Sequence, residues 1–425
     1  MKQYYIIILT LLFGFTLKGA NTQGNEQLAR LYETKDFMAL KELLEELDPK
    51  GTNRSYQHYR ATILNAFTQY EESIQLIEQV LELGHWSKED PVLQQLLLTQ
   101  ANNYINTFQY AKAYQTYSTL LANGEGQLEE EVLESYRNVG SIYQTLAQQG
   151  VGQQQVKIEK TTQLPIYHNP FNHIMVPLAI NRKHDHFILD TGAMMSVISE
   201  SSAKEMGLTI YDLDINVGTV TNIDIKTKLA VADSLYLGEI LILNAVFLVS
   251  RDEDLTIAKE ETHIHGILGF PIVNALKELR IGQNRLEIPK TPTSRSFTNL
   301  YMQGQIPVVE IESEGLKLRM ALDTGANKSE LSSNFYKRHK EKIMKSAVFK
   351  KSKRGGAGGV IEENTYLLPL FNYRLGSRTG SLPSISINLT DYEFLQGLDG
   401  NLGQDAYTHF NQMVINFKTM FVDLE

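Results

Sequence analysis

One heptapeptide pattern occurs twice in this chain. Phe187-Ile188-Leu189-Asp190-Thr191-Gly192-Ala193 and Met320-Ala321-Leu322-Asp323-Thr324-Gly325-Ala326 each carry an apolar strand-type run into Asp-Thr-Gly-Ala, and the two aspartates lie 133 residues apart. A serine follows six residues after each, at Ser196 and Ser329. A second signature repeats in step. Gly266-Ile267-Leu268-Gly269 ends 79 residues after Asp190, and Gly400-Asn401-Leu402-Gly403 ends 80 residues after Asp323. A single Asp-Thr-Gly carries little information. Two of them, each with its own apolar-Gly partner at a matched distance, constrain the chain to two lobes of one design.

The flanking elements repeat in the same order. Lobe one, residues 164–290, reads as short strands with turn residues between them. His173 to Ile180 precedes a hairpin turn at Asn181-Arg182-Lys183, and Phe187 to Leu189 leads into Asp190. After Gly269 a short helix is expected over Pro271 to Leu279, then a closing hairpin over Arg280 to Ile288. Lobe two, residues 297–425, runs through Val308 to Ile311, a turn at Glu314-Gly315, and Leu316 to Leu322 into Asp323. Helix follows Gly403 over Ala406 to Phe410, and Val414 to Val422 closes the lobe. Pro289 to Ser296 connects the lobes and is short enough to keep them paired in one chain.

Two carboxylates held about 3 Å apart cannot both ionise, so they share one proton. The ionised member can activate a water as general base, and the protonated member can polarise a peptide carbonyl. Glycine lets the backbone turn tightly after each aspartate, and threonine supplies a hydroxyl to tie two such loops together.

These motifs resemble the aspartic proteases, and Asp-Thr-Gly-Ala is closer to the retroviral-type (retropepsin-like) branch than to the pepsin branch. There each lobe supplies one aspartate about a two-fold axis, usually in a homodimer; here both lobes stand in tandem over roughly residues 165 to 425. The resemblance implies an all-β bilobal domain that hydrolyses peptide bonds, with Asp190 and Asp323 as the catalytic dyad and no cofactor. It implies loop-locking roles for Thr191, Gly192, Thr324 and Gly325, and packing of Gly269 and Gly403 behind the aspartate loops. Lobe two departs at Asn401, which stands where lobe one has Ile267, so the packing there is expected to differ. The resemblance also puts a substrate-covering flap between Asp323 and Gly403, where Gly355, Gly356, Gly358 and Gly359 suit a mobile hairpin tip. The lobe-one interval Val217-Gly218-Thr219-Val220-Thr221-Asn222 is a second candidate.

The chain is expected to be multi-domain, with an all-α region in front. Residues 24–148 are helical in pattern and carry a loose repeat with aromatic anchors at Phe37, Tyr70 and Tyr110, spaced 33 and 40 residues. They resemble tetratricopeptide hairpins, whose period is about 34 and which stack to bury faces that none could bury alone. Two readings stand: a platform that docks a protein or peptide partner, or a structural cap or prodomain. Residues 149–163, polar and glycine-bearing around Gln148 to Gln155, read as a linker.

Met1-Lys2 followed by the apolar run Tyr4 to Phe15 reads as a secretory signal peptide over residues 1–20, too short for a span of about 20 apolar residues. Cleavage is expected near Gly19 or Ala20, with export to the periplasm or the medium; a retained segment would leave a short membrane anchor. No later stretch is long and apolar enough to cross a membrane. The chain has no cysteine, which removes disulfides, thiol nucleophiles and cysteine-ligated zinc. A formal charge of −9 argues against a general nucleic-acid binder.

The remaining motifs have plainer readings. His184-Asp185-His186 and His263-Ile264-His265 put alternating histidines on strands, but no third ligand is evident and no metal is expected. Arg354-Gly355-Gly356-Ala357-Gly358-Gly359 lacks the Gly-Lys-Ser/Thr ending of a phosphate loop. Nine Lys or Arg between Lys337 and Arg354 read as a solvated helix face and loop, ahead of a preference for acidic substrates. Asn327-Lys328-Ser329 is a formal glycosylation triplet too close to the dyad to carry a glycan. The alternative to an exported endopeptidase is a non-catalytic peptide-binding protein that uses the helical repeats and a degenerate protease-like cleft.

Overall fold

The computed structural model describes residues 22–217, 225–257, 262–356 and 359–425. The segment read as a signal peptide lies outside the described residues, as do Gly218 to Asn222 of the lobe-one flap candidate and Gly358 of the lobe-two candidate. The chain divides into two compact units. One holds the helical region up to Gln153 together with Tyr301–Gly304; the other comprises Gln154–Leu300 and Gln305–Glu425.

The helical unit consists, among the described residues, of seven α-helices: Thr22–Glu33, Phe37–Leu47, Gln57–Ala66, Tyr70–Leu83, Pro91–Asn106, Tyr110–Gly124 and Glu130–Gln148. Consecutive helices pack against each other. The repeat seen in the sequence has a backbone counterpart. Lys35, Thr68 and Phe108 each adopt a positive φ, two residues ahead of Phe37, Tyr70 and Tyr110. In all three turns the following N–H closes back on the preceding helix: Asp36 on Leu31 O at 2.9 Å, Gln69 on Leu64 O at 2.8 Å and Gln109 on Tyr104 O at 2.8 Å. Left-handed residues satisfy helix-end carbonyls in this way. The three aromatic anchors are buried. Among the described residues no helix is long and apolar enough to cross a membrane.

The second unit is built of strands, and its two lobes share one plan. A two-residue hairpin turn opens each, with positive φ at Asn181 and Arg182 in lobe one and at Glu314 and Gly315 in lobe two, nine residues ahead of the respective aspartate. Positive φ at both turn residues matches the twist of the flanking strands. The strand Lys183–Leu189 then ends at Asp190, and Leu316–Leu322 ends at Asp323. The short strand Gly266–Leu268 lies parallel to the first, with Leu268 opposite Leu189, and Gly400–Leu402 lies parallel to the second, with Leu402 opposite Leu322. On its other side each short strand pairs antiparallel with the segment after its own aspartate loop, Ser196–Ser199 or Glu330–Leu331. Phe187, Leu189, Phe247, Leu268 and Phe270 are fully buried in lobe one, as are Met320, Leu322, Leu375 and Ile387 in lobe two.

A separate five-stranded sheet takes strands from both lobes, in the order Thr162–Pro165, Arg285–Ile288, Glu278–Gly282, Gln412–Asn416, Phe421–Leu424. Leu279 pairs with Ile415, so the closing hairpins of the two lobes form one continuous ladder. Glu278, wholly buried, anchors the connector: its carboxylate accepts from Thr293 N and from Asn416 Nδ2, both at 2.6 Å, and from Arg280 Nε at 2.8 Å. The expected linker is shorter than 149–163. Gln155–Lys157 pairs as an edge strand with Leu241 to Leu243, and Thr162 already belongs to the five-stranded sheet. Polar composition alone does not separate a linker from an edge strand, because an edge leaves one face to solvent. The expected helices are also shortened, to Phe270–Ala275 in lobe one and a 3-10 turn over Gln404–Ala406 in lobe two.

Candidate active site

Each Asp-Thr-Gly loop is locked to the other through its threonine. Thr191 N donates to Thr324 Oγ1 at 3.0 Å, and Thr324 N donates to Thr191 Oγ1 at 3.0 Å. The same hydroxyls donate onward, Thr191 to Leu322 O at 2.7 Å and Thr324 to Leu189 O at 2.9 Å. Both threonines are wholly buried. Each hydroxyl thus accepts once and donates once, always across the lobe boundary.

This lock brings the two aspartates together. A Cβ built on Gly192 would lie 2.8 Å from Asp323 Cγ, and one on Gly325 would lie 2.5 Å from Asp190 Oδ2. Each carboxyl therefore occupies the space that a side chain at the other lobe's glycine would need. The loops orient the carboxyls with backbone donors: Gly192 N and Ala193 N reach Asp190 Oδ1 at 2.8 and 3.2 Å, and Gly325 N and Ala326 N reach Asp323 Oδ1 at 2.8 and 3.0 Å. Burial first, then the neighbouring Asp323 charge, pushes the Asp190 carboxyl up to about 8, against the pull of Gly192 N–H.

Gly269 and Gly403 close the loops from behind. A Cβ at Gly269 would meet Met195 O at 2.4 Å, and one at Gly403 would meet Ala326 O at 2.8 Å. The serines six residues after each aspartate, given no role from sequence, supply the missing link. Ser196 Oγ accepts from Gly269 N and Ser329 Oγ from Gly403 N, both at 3.0 Å. Their matched spacing was the available signal.

Gly355, Gly356 and Gly359 of the candidate flap lie at the end of a long hairpin in lobe two. Val348–Gly356 pairs antiparallel with Gly359–Leu375, with Gly355 opposite Val360 and Gly356 opposite Gly359. Lobe one has a corresponding hairpin of Thr209–Val217 and Ile225–Leu237, with Val217 opposite Ile225. Arg354, just before the glycines and opposite Ile361 near the hairpin's tip, is held by side chains. It donates to Glu330 at 2.5 and 2.6 Å and to Glu363, and it lies over the ring of Tyr392 at 4.6 Å. Glu363 also accepts from Asn388 Nδ2 at 2.8 Å and from the Tyr392 hydroxyl. Burial pushes the Glu330 carboxyl up, against the pull of Arg354.

The lobes differ immediately around the dyad. Asn401, where lobe one has Ile267, donates from Nδ2 to Asp323 Oδ2 at 3.0 Å. Gln404, where lobe one has Phe270, donates to Thr324 O at 2.9 Å and to Asn172 O at 3.0 Å. The Tyr407 hydroxyl is buried with no hydrogen-bond partner, and burial followed by the Asp323 charge raises it above its ordinary value. The histidine motifs are partnered by acids: His265 Nδ1 lies 2.8 Å from Asp185, and His263 Nε2 lies 3.2 Å from Asp252. Asn327 donates to Phe171 O at 2.6 Å.

Residues 176–272 match the family model described as aspartyl protease. The match holds Asp190-Thr191-Gly192 and Gly266 to Gly269 and ends before lobe two. Among solved structures, the chain is similar to a retropepsin-like aspartic protease from Rickettsia conorii. The identity is 21%, over 31% of this chain and 94% of that chain, with a TM-score of 0.23. No curated protein shows a significant similarity to the chain. The β-rich region therefore carries a segment similar to the aspartyl protease family.

Proposed function

We propose that this chain is an aspartic endopeptidase whose single active site is assembled within one molecule from Asp190 and Asp323. The observation that carries this reading is the reciprocal Thr191–Thr324 lock, which sets two half-buried carboxyls against each other's glycine. Such a pair holds one proton between two acids. The ionised member takes a proton from a water as it attacks the scissile carbonyl, and the protonated member donates to the carbonyl oxygen. The bond to nitrogen then breaks as the dyad returns a proton to the leaving amine. The substrate is a peptide segment able to enter a cleft covered by the hairpins that end at Val217 and Gly356.

The test is cleavage of a peptide library by the purified protein across pH, with and without a statine-type transition-state mimic. Cleavage that the mimic blocks, and that Asp190→Asn and Asp323→Asn each abolish, is the expected outcome. Tight binding of peptides without cleavage at any pH would favour a peptide-binding protein instead. Export is part of the proposal and rests on the N-terminal sequence; the N-terminus of the mature protein tests it.

A further inference from the structure

The two lobes agree in backbone register but not in polarity beside the dyad. Three register-matched positions carry the difference. Val197 and Ile267 are paired neighbours in lobe one. They pack on an apolar cluster of Met175, Ile188, Leu255 and Ile264. Glu330 and Asn401 are the corresponding paired neighbours in lobe two. Phe270, wholly buried, has Gln404 as its counterpart. The positions matched to Glu330, Asn401 and Gln404 are thus apolar in lobe one, and Asp190 receives two backbone N–H groups, whereas Asp323 receives two backbone N–H groups and the Asn401 amide on its other oxygen.

We infer that Asn401 divides the labour of the dyad, holding Asp323 as the carboxylate and leaving Asp190 to carry the shared proton. A donor stabilises the charged form of its acceptor, and burial among apolar side chains disfavours it. Both effects act in one direction here. Asp323 is then the base that activates water, and Asp190 is the acid that polarises the carbonyl. Asn401 touches neither water nor peptide and is a positioning residue acting through Asp323. This assignment rests on the proposed peptidase chemistry, but the protonation pattern exists without substrate.

Other charged or titratable groups bear on the pair and are accounted for. Glu330 opposes the Asp323 charge but is held by Arg354, which it shares with Glu363. His173, at the edge of lobe one, feels Asp323, while burial keeps its imidazole below the ordinary value. The Tyr407 hydroxyl is buried, feels the Asp323 charge and has no hydrogen-bond partner. Each of these groups lies on the Asp323 side.

Carboxyl-carbon NMR of the full chain, labelled at aspartate, tests the assignment in the pH range where the dyad holds one proton. The resonance removed by Asp323→Asn should be a carboxylate, and the one removed by Asp190→Asn a carboxylic acid. The swap Ile267→Asn with Asn401→Ile should exchange the two. Asn401→Leu alone should raise the acidic limb of kcat/KM by about one pH unit, as expected for a lost donor to a charged group, with KM little changed. If the acid resonance belongs to Asp323 in the wild-type chain, the amide is reversed and the inference is overturned, whether or not the variants fold. If the resonances match the assignment but no peptide is cleaved, the peptidase reading fails and the asymmetry stands.

Discussion

Thr191 and Thr324 each accept the other's main-chain N–H on the side-chain oxygen, at 3.0 Å in both directions. Neither loop can hold this geometry alone, so the site exists only when both lobes are folded and docked. Replacing Thr191 with the near-isosteric Val orphans Thr324 N and Leu322 O in a buried place. Denaturant unfolding should show a loss of about 1–3 kcal/mol for each orphaned group, whereas Thr191→Ser should keep most of the stability. Equal stability of the Val and Ser variants would mean that the lock is not formed in solution.

Assembly within one chain gives a second expectation. Asp190→Asn and Asp323→Asn should each lower peptide cleavage on the order of 10²–10⁴-fold, the contribution of a positioned acid or base. Mixing the two variants should restore nothing. Activity within a few-fold of wild type in either single variant would point to like lobes pairing between molecules, and rescue on mixing would point to unlike lobes doing so. The connector ties the lobes at high effective concentration, and the Leu279–Ile415 ladder joins them directly.

The Asp190 carboxyl, raised to about 8 by burial and by Asp323, sets the sign of a pH effect on stability. A group raised in the folded state favours folding fully below its unfolded value, about 4 for an aspartate. That contribution is lost as pH rises toward 8. Asp190→Asn removes the effect. The melting temperature of the variant, relative to wild type, should therefore climb steadily between about pH 4 and pH 8 and level off above. A difference that stays flat over that range would show that Asp190 is not proton-bound in the folded dyad. Peptide cleavage by wild type should fall as pH passes the upper apparent value of the pair, which belongs to neither residue alone.

The Glu330–Arg354–Glu363 cluster, toward the tip of the lobe-two hairpin, offers a fourth test. Arg354→Met leaves the buried Glu363 carboxylate and the largely covered Glu330 carboxylate without their cation. The expected cost is about 3–5 kcal/mol by chemical denaturation, as for a broken buried pair, and it should shrink as acid protonates Glu330, whose carboxyl burial already pushes up. A cost below about 1 kcal/mol, the range of a solvated surface pair, would mean that the cluster opens to water.

The legible part of this protein lay in spacing. Periodicity separated a helical region from a strand region, and the anchors Phe37, Tyr70 and Tyr110 marked turns that share one left-handed backbone geometry. The tandem Asp-Thr-Gly loops and their apolar-Gly partners stood out because a strand that must pack behind an aspartate loop tolerates only glycine at its end. Segment boundaries were less legible, as the strand Gln155–Lys157 shows. Its pairing depends on Leu241 to Leu243, and nothing in its own polar sequence announces them.

By itself the sequence determined that two equivalent aspartate loops exist, and the resemblance carried by their Asp-Thr-Gly signatures identified the residue types that surround them. Local motifs can do this because backbone turns and tight packing impose residue types at fixed separations. The tertiary structure decided which atoms meet. Asn401 reads in the sequence only as a departure from Ile267, yet the parallel register that sets it beside Ala321 aims its amide at Asp323. Arg354 reads as one of nine basic residues, yet hairpin pairing lays it between Glu330 and Glu363. Hydrogen bonds and charge pairs act over about 3 Å, and such distances between residues dozens of positions apart are fixed by strand register and lobe docking rather than by any local signal.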